Sequence, residues 1–271
     1  MSIRIGWLAL LGVCAVGANA VQAQIDGIND NPRVFNDFST TTLVYVNGNS
    51  VNQGPILSSV LIDETAWTDD GMGGSFANRH DFTLSSDGGA TSHTFGIDDS
   101  YTVKTLVNLS AGSNAPRKEA GLRINSPITG DALFLVNSDA GEIVAFGGGA
   151  PFFSFSSGAQ PDYVPGTTIL LGFTMLGNGV AANTMEYFID RMPGVPGGEV
   201  SSGPLPFSNL EEGPLAYNVA LYSQASPNLA NSAEFVSTDF TDIMFMRIPE
   251  PATVAIGLIG MLGVFGFMRR R

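Results

Sequence analysis

Residues Ala120 to Phe146 read AGLRINSPITGDALFLVNSDAGEIVAF. Three apolar, β-branched runs stand in this stretch: Ala120 to Asn125, Asp131 to Asn137, and Glu142 to Phe146. The separators are Ser126-Pro127-Ile128-Thr129-Gly130 and Ser138-Asp139-Ala140-Gly141. Proline fixes φ and glycine accepts positive φ, so both separators are hairpin loops. Three runs this close predict an antiparallel meander.

The same pattern extends in both directions. Upstream are Thr41 to Asn47 (TTLVYVN), Ile56 to Ile62 after Gly54-Pro55, and Tyr101 to Leu109 (YTVKTLVNL). The last puts Tyr101, Val103, Thr105, Val107 and Leu109 on one face, and Lys104 and Asn108 on the other. Downstream are Thr167 to Met175, Met185 to Arg191, Ala216 to Tyr222 and Asp242 to Ile248. No long segment of this region has a 3.6-residue period, and no fixed-length repeat occurs. About a dozen strand-like runs predict an all-β fold, a two-sheet antiparallel β-sandwich of jelly-roll type. Phe152, Phe153 and Phe155 read as core residues, with an exposed aromatic patch as the other option.

The chain has 271 residues, 33 of them glycine, with 14% charged and 44% apolar residues. That is too apolar for a disordered chain and suits many turns between short strands. Eight basic and 24 acidic residues lie between Gln24 and Ile248, so this body carries −16. Such a surface repels phosphate backbones, which argues against nucleic acid as a partner. The single cysteine, Cys14, lies in the N-terminal apolar run, so the body has no disulfide or cysteine nucleophile.

Both ends read as targeting segments. Residues 1–23 form a secretory signal peptide: Arg4, an apolar Ile5 to Gly17, and small-x-small cleavage patterns, with the favoured cut between Ala23 and Gln24. At the other end, residues 249–271 comprise Pro249-Glu250-Pro251, an uncharged apolar run from Ala252 to Met268, and Arg269-Arg270-Arg271. Seventeen residues make about 26 Å of helix, a short membrane span. The arginines would hold its C-terminus on the cytoplasmic side. The chain is thus expected to divide into 1–23, a sandwich ectodomain over 24–248, and 249–271, with a helix at each end.

Candidate chemistry in the body is sparse. Asp63, Glu64, Asp69 and Asp70 gather around Trp67 ahead of Gly71-Met72-Gly73-Gly74. Oxygen-rich loops with glycine turns are the material of calcium sites, and calcium is the one cofactor such a composition suggests. The spacing is not that of an EF-hand, and the plain reading is a polar loop. Asp98-Asp99 reads the same way. His80 and His93 are the only histidines, too few for a zinc site without cysteine. Glu186 and Asp190 fall on one face of a strand, the one pair geometrically open to glycosidase chemistry. No HExxH, Gly-x-Ser-x-Gly or phosphate-loop motif occurs, so no catalytic residue is assigned.

The three-part C-terminal stretch Pro249-Glu250-Pro251, Ala252 to Met268 and Arg269-Arg270-Arg271 resembles the PEP-CTERM sorting signal of exported proteins in biofilm-forming Gram-negative bacteria. The resemblance implies exosortase as a processing partner, transient anchoring in the inner membrane, and delivery to the cell surface or extracellular matrix. Processing would fall at or near Pro249-Glu250-Pro251. The body resembles concanavalin-like jelly rolls of bacterial surface proteins, through Glu119 to Ile124 and Met185 to Asp190. The expected function is that of a sorted, non-catalytic surface or matrix protein associated with polysaccharide and linked to biofilm. The alternative is a secreted carbohydrate-active enzyme with a jelly-roll fold.

Overall fold

The structure, a computed structural model, describes residues 25–33, 40–47, 55–65, 78–96, 99–126, 130–156, 162–177, 183–207, 217–226, 228, 230–231 and 233–248. The signal segment with Ala23 and Gln24, the tail from Pro249 to Arg271, and Asp69 and Asp70 lie outside these residues, as do the two expected terminal helices. The described residues hold strands, turns and bends and no helix.

In chain order the strands are β1 (Gly27–Arg33), β2 (Thr40–Asn47), β3 (Pro55–Thr65), β4 (Asn78–Ser85), β5 (Tyr101–Ala111), β6 (Lys118–Ser126), β7 (Gly130–Asn137), β8 (Ile143–Gly147), β9 (Phe153–Ser154), β10 (Thr168–Leu176), β11 (Asn183–Asp190), β12 (Glu199–Ser201), β13 (Leu205–Phe207), β14 (Asn218–Ala225) and β15 (Phe235–Arg247). Seven form one sheet in the order β1-β4-β14-β6-β7-β8-β9. The rest form a second sheet in the order β12-β11-β10-β5-β15-β3-β2, with β13 also on β11. Every pairing is antiparallel. The middle three strands of these orders are β14-β6-β7 and β10-β5-β15. Consecutive strands β3 and β4, β5 and β6, and β14 and β15 therefore cross from sheet to sheet, a jelly-roll-like arrangement.

The expected meander is present as β6-β7-β8. Its loops use Gly130 and Gly141 at positive φ (80° and 64°), as the turn chemistry requires. Alternation sets the core between the sheets. Phe82, Leu122, Phe134, Val219 and Leu221 face inward from the first sheet, and Val103, Val107, Leu171, Phe173 and Phe240 from the second. Phe153 and Phe155 pack at the margin of this core, 4.8 Å apart between ring centroids, whereas Phe152 is 71% exposed.

Several elements depart from the sequence expectation. The run Asp242 to Ile248 is the second half of one 13-residue strand that begins at Phe235. A bulge at Asp242, with φ of 49°, breaks its alternation midway and hides the continuity. Strands β1 (GINDNPR) and β4 (NRHDFTLS) have no strand-like composition. They pair with each other along their whole lengths.

Candidate functional site

Strand β4 turns His80, Phe82 and Leu84 into the core, so Arg79, Asp81 and Thr83 face outward. Its neighbours present Ala220 and Tyr222 from β14, and Arg123 and Asn125 from β6. In register, Ala220 stands between Thr83 and Arg123, and Tyr222 between Asp81 and Gly121. The small side chain of Ala220 lets Arg123 extend across β14 toward β4. Asp131, at the start of β7, stands opposite Asn125.

These side chains close a ring of alternating charge. Arg79 Nε donates to Asp81 Oδ2 at 2.8 Å, and its Nη1 lies 2.9 Å from Asp131 Oδ2. Arg123 Nη1 lies 3.1 Å from the same Asp81 oxygen, and its Nη2 donates to Asp131 Oδ1. Each guanidinium therefore contacts both carboxylates. Asp81 and Arg123 are only 6% and 8% exposed, an unusual setting for charge on the outside of a sandwich. Arg79 also lies over the Tyr222 ring, 5.5 Å from its centroid, a cation–π contact.

The ring lies in an open polar depression of about 410 Å³, lined also by Thr83, Ser92, Asn125 and Asn218. These four add hydroxyl and amide groups from two outer-face strands, β4 and β6, from the segment after β4, and from β14. Thr83 and Ser92 share a 2.6 Å hydrogen bond, and Asn218 Nδ2 donates to the His93 carbonyl at 2.6 Å.

The two carboxyls are driven apart electrostatically. Burial pushes Asp81 above its ordinary value, against the pull of Arg123 and Arg79. Burial also opposes ionisation of Asp131, but the hydrogen bonds and charges of Arg123 and Arg79 together hold it below the usual carboxylate range. Burial disfavours the Arg79 cation, yet Asp81 and Asp131 raise its pKa above the ordinary value.

Charge continues along the same face. Tyr222 Oη donates to Glu119 Oε2 at 2.9 Å, and burial pushes both groups up. Arg117 then gathers Glu119, Asp139 and Glu142, at 3.1, 3.3 and 2.9 Å. Beside this line, Leu133, Leu135, Val144, Phe146 and Tyr222 form a small apolar cluster separate from the main core.

The residues singled out in the sequence lie elsewhere. Asp63 and Glu64 are in strand β3 rather than a loop. Glu64 is buried, with Asn78 Nδ2 at 3.2 Å and His80 Nε2 at 3.1 Å from its Oε1. It is therefore turned inward, away from any open calcium loop. Asp99 accepts from the Gly96 amide and from Arg247, at 2.7 and 3.0 Å, as a loop clamp. His93 Nδ1 lies 3.0 Å from Ser86 Oγ, remote in role from the inward-facing His80. Glu186 and Asp190 do share the outer face of β11, but the Phe188 side chain stands between them, packed where a Gly172 Cβ would be. Four residues of strand separate their backbones by about 13 Å, too far for paired glycosidase carboxylates. Glu186 accepts from Ser201, and Asp190 from the Met192 amide. Among the described residues no group of three or more His, Cys, Asp or Glu side chains is placed to hold a metal ion.

No family model matches the chain, and no curated relative matches it. Solved structures with a similar outline include the alginate lyase AlgAT5 of Polysaccharide Lyase family 7. That match has 11% identity and a TM-score of 0.43, and covers 79% of this chain and 95% of that one. An alginate lyase from Corynebacterium sp. matches at 13% identity and a TM-score of 0.45, over 70% of this chain and 78% of that one. A protein of unknown function from Shewanella oneidensis MR-1 matches at 11% identity and a TM-score of 0.40, over 83% and 88%. At these values the likeness transfers no residue, substrate or reaction. Of these neighbours, those with a known activity are named as lyases, not as non-catalytic surface or matrix proteins, so the expected non-catalytic reading is withdrawn.

Proposed function

We propose that this protein is a carbohydrate-active enzyme whose polysaccharide substrate lies across the outer face of the seven-stranded sheet. The observation that carries this reading is the depression itself. It is open, polar, and lined by amide, hydroxyl, guanidinium and carboxylate groups from several strands. Sugar hydroxyls each donate and accept, and such mixed groups satisfy both. At the edge of the adjoining apolar cluster, the partly exposed Leu133 and Phe146 suit the C–H faces of sugar rings.

Asp131, the more exposed carboxylate of the ring, is the residue we assign to glycan cleavage, as the base or the stabiliser of developing positive charge. Asp81, whose Oδ2 is shared by the two guanidiniums, holds them in place. Arg79 and Arg123 in turn position Asp131. The test is to incubate the full chain with soluble polysaccharides and follow binding, new reducing ends and unsaturated ends. Cleavage of at least one glycan is expected, with loss of about a hundredfold or more in Asp131→Asn while binding persists. Absence of both binding and cleavage across the panel would refute the reading.

Delivery to the polysaccharide layer fits the same reading. Residues 1–23 direct export, with the cut between Ala23 and Gln24, and the Pro249-Glu250-Pro251 tail is presented to an exosortase while Arg269, Arg270 and Arg271 hold the cytoplasmic end. The full resemblance of the tail supports this. Intact-mass analysis of the surface form should show both ends removed, and a full-length mass there would refute it.

A further inference from the structure

We propose that the depression selects an uncharged glycan and rejects polyuronate chains. The inference rests on the reading that this depression is the glycan site, and it adds the class of glycan. Its described lining holds two guanidiniums and two carboxylates, so it is electrically balanced. More telling is how the balance is made. Each arginine already faces both aspartates, so the positive charge of each guanidinium is offset before any ligand arrives. A uronate that displaced Asp81 would leave that carboxylate, 6% exposed, without its counter-charge, which costs more than the new pair returns.

The rest of the path is worse for an anion. Toward Glu119 the face presents Glu119, Asp139 and Glu142 to the single guanidinium of Arg117. A polymer with one negative charge per sugar, lying along this line, meets excess like charge on a chain of net charge −13. A neutral polymer escapes that repulsion and can hydrogen-bond to Thr83, Ser92, Asn125 and Asn218.

The experiment measures binding of the full chain to a neutral β-glucan, a galactomannan, alginate and pectate, at 20 mM and 300 mM salt. Wild type is expected to bind a neutral polymer with little salt dependence, and to bind the two polyuronates at least about tenfold more weakly at low salt, the ratio that 1.4 kcal/mol of like-charge contact produces. Asp81→Asn/Asp131→Asn frees both guanidiniums and should gain polyuronate binding by a similar factor. Should that variant fail to unfold cooperatively, Glu119→Gln/Glu142→Gln reads the same effect at the far end, with a smaller gain. Salt-sensitive polyuronate binding by wild type that Asn125→Ala/Asn218→Ala abolishes would overturn the selectivity and leave the glycan site standing. Binding of neither class, or binding that Asn125→Ala/Asn218→Ala leaves unchanged, would overturn the glycan site and the selectivity with it.

Discussion

The outer face of the seven-stranded sheet and that of the eight-stranded sheet are made by the same two-residue alternation, yet they hold different chemistry. On the larger sheet, short neutral contacts join neighbouring strands. Thr102 and Thr174 share a 2.8 Å hydroxyl contact, Asn108 Nδ2 donates to Thr168 and to the Gly166 carbonyl at 3.2 Å, and Phe188 lies over Gly172. On the smaller sheet, charged side chains reach past their neighbours and are sequestered: Arg123 crosses β14 to Asp81, and Arg79 runs over Tyr222 to Asp131. Pairs like those on the larger sheet contribute a few tenths of a kcal/mol each and need no further role. Buried ion pairs contribute little beyond what apolar residues of the same volume would. Stability alone therefore does not account for a closed ring of four in an open depression, which is where we propose that glycan binds.

The strongest way to break this contrast is to remove one member of the ring. Asp81→Ala leaves two guanidiniums short of a partner and should cost about 3–5 kcal/mol in chemical denaturation, as for other buried pairs cut on one side. Lys104→Ala on the opposite face should change stability by no more than about 0.5 kcal/mol. Equal effects would erase the distinction. Glycines give a second comparison. A Cβ on Gly121, in the smaller sheet, would press on the Phe134 carbonyl and lie 2.6 Å from Leu135 Cα, both backbone. A Cβ on Gly172 would press on the Phe188 ring, which can turn away, and lie 2.8 Å from Lys104 Cβ. Gly121→Ala should therefore cost more than the roughly 1–3 kcal/mol of ordinary overpacking, and Gly172→Ala should stay within it.

A smaller effect is expected from pH. Asp131 has a folded pKa below its unfolded value, so its contribution is present above the ordinary carboxylate range and lost as pH falls through the folded value. Asp81 is raised, so its contribution is present below that range and lost as pH rises through its folded value. Carboxyl titration by NMR should place Asp81 above Asp131, and Asp131→Asn should lose its stability deficit in acid. The reverse order would contradict the ring's electrostatics. The smallest effect belongs to the larger sheet: Asn108→Ala should cost about 0.5–1.5 kcal/mol for its two hydrogen bonds, and leave glycan binding unchanged.

The fold was more legible than the site, for a physical reason. Strands β5, β6, β7 and β10 bury apolar residues at every second position, so YTVKTLVNL or DALFLVN states its own conformation. Strand β4 does not. NRHDFTLS places Asn78 and His80 inward, where they meet Glu64, and charges outward, so only Phe82 and Leu84 carry the pattern. Two of the four ring residues, Arg79 and Asp81, sit on that strand. Arg123 and Asp131 sit on strands that were readable, but register alone brings them over β14 to β4, and register between distant strands leaves no local mark. The acidic run at Asp63 and Glu64 misled in the opposite sense, because clustered carboxylates suggest a surface loop whereas Glu64 is an inward strand residue held by His80. A usable signal was the alternation Arg79-x-Asp81-x-Thr83, polar at the outward positions and apolar from Phe82 to Leu84 inward.

The most direct test of the account is titration of soluble polysaccharides into the full chain, comparing wild type with Asn125→Ala/Asn218→Ala, which alters the depression without touching the charged ring. Wild type is expected to show saturable binding of at least one glycan, and the variant a loss of about tenfold or more with stability lowered only by about the 0.5–1.5 kcal/mol of the Asn218–His93 hydrogen bond. Binding that is equal in the two proteins, or absent from both, would contradict the account.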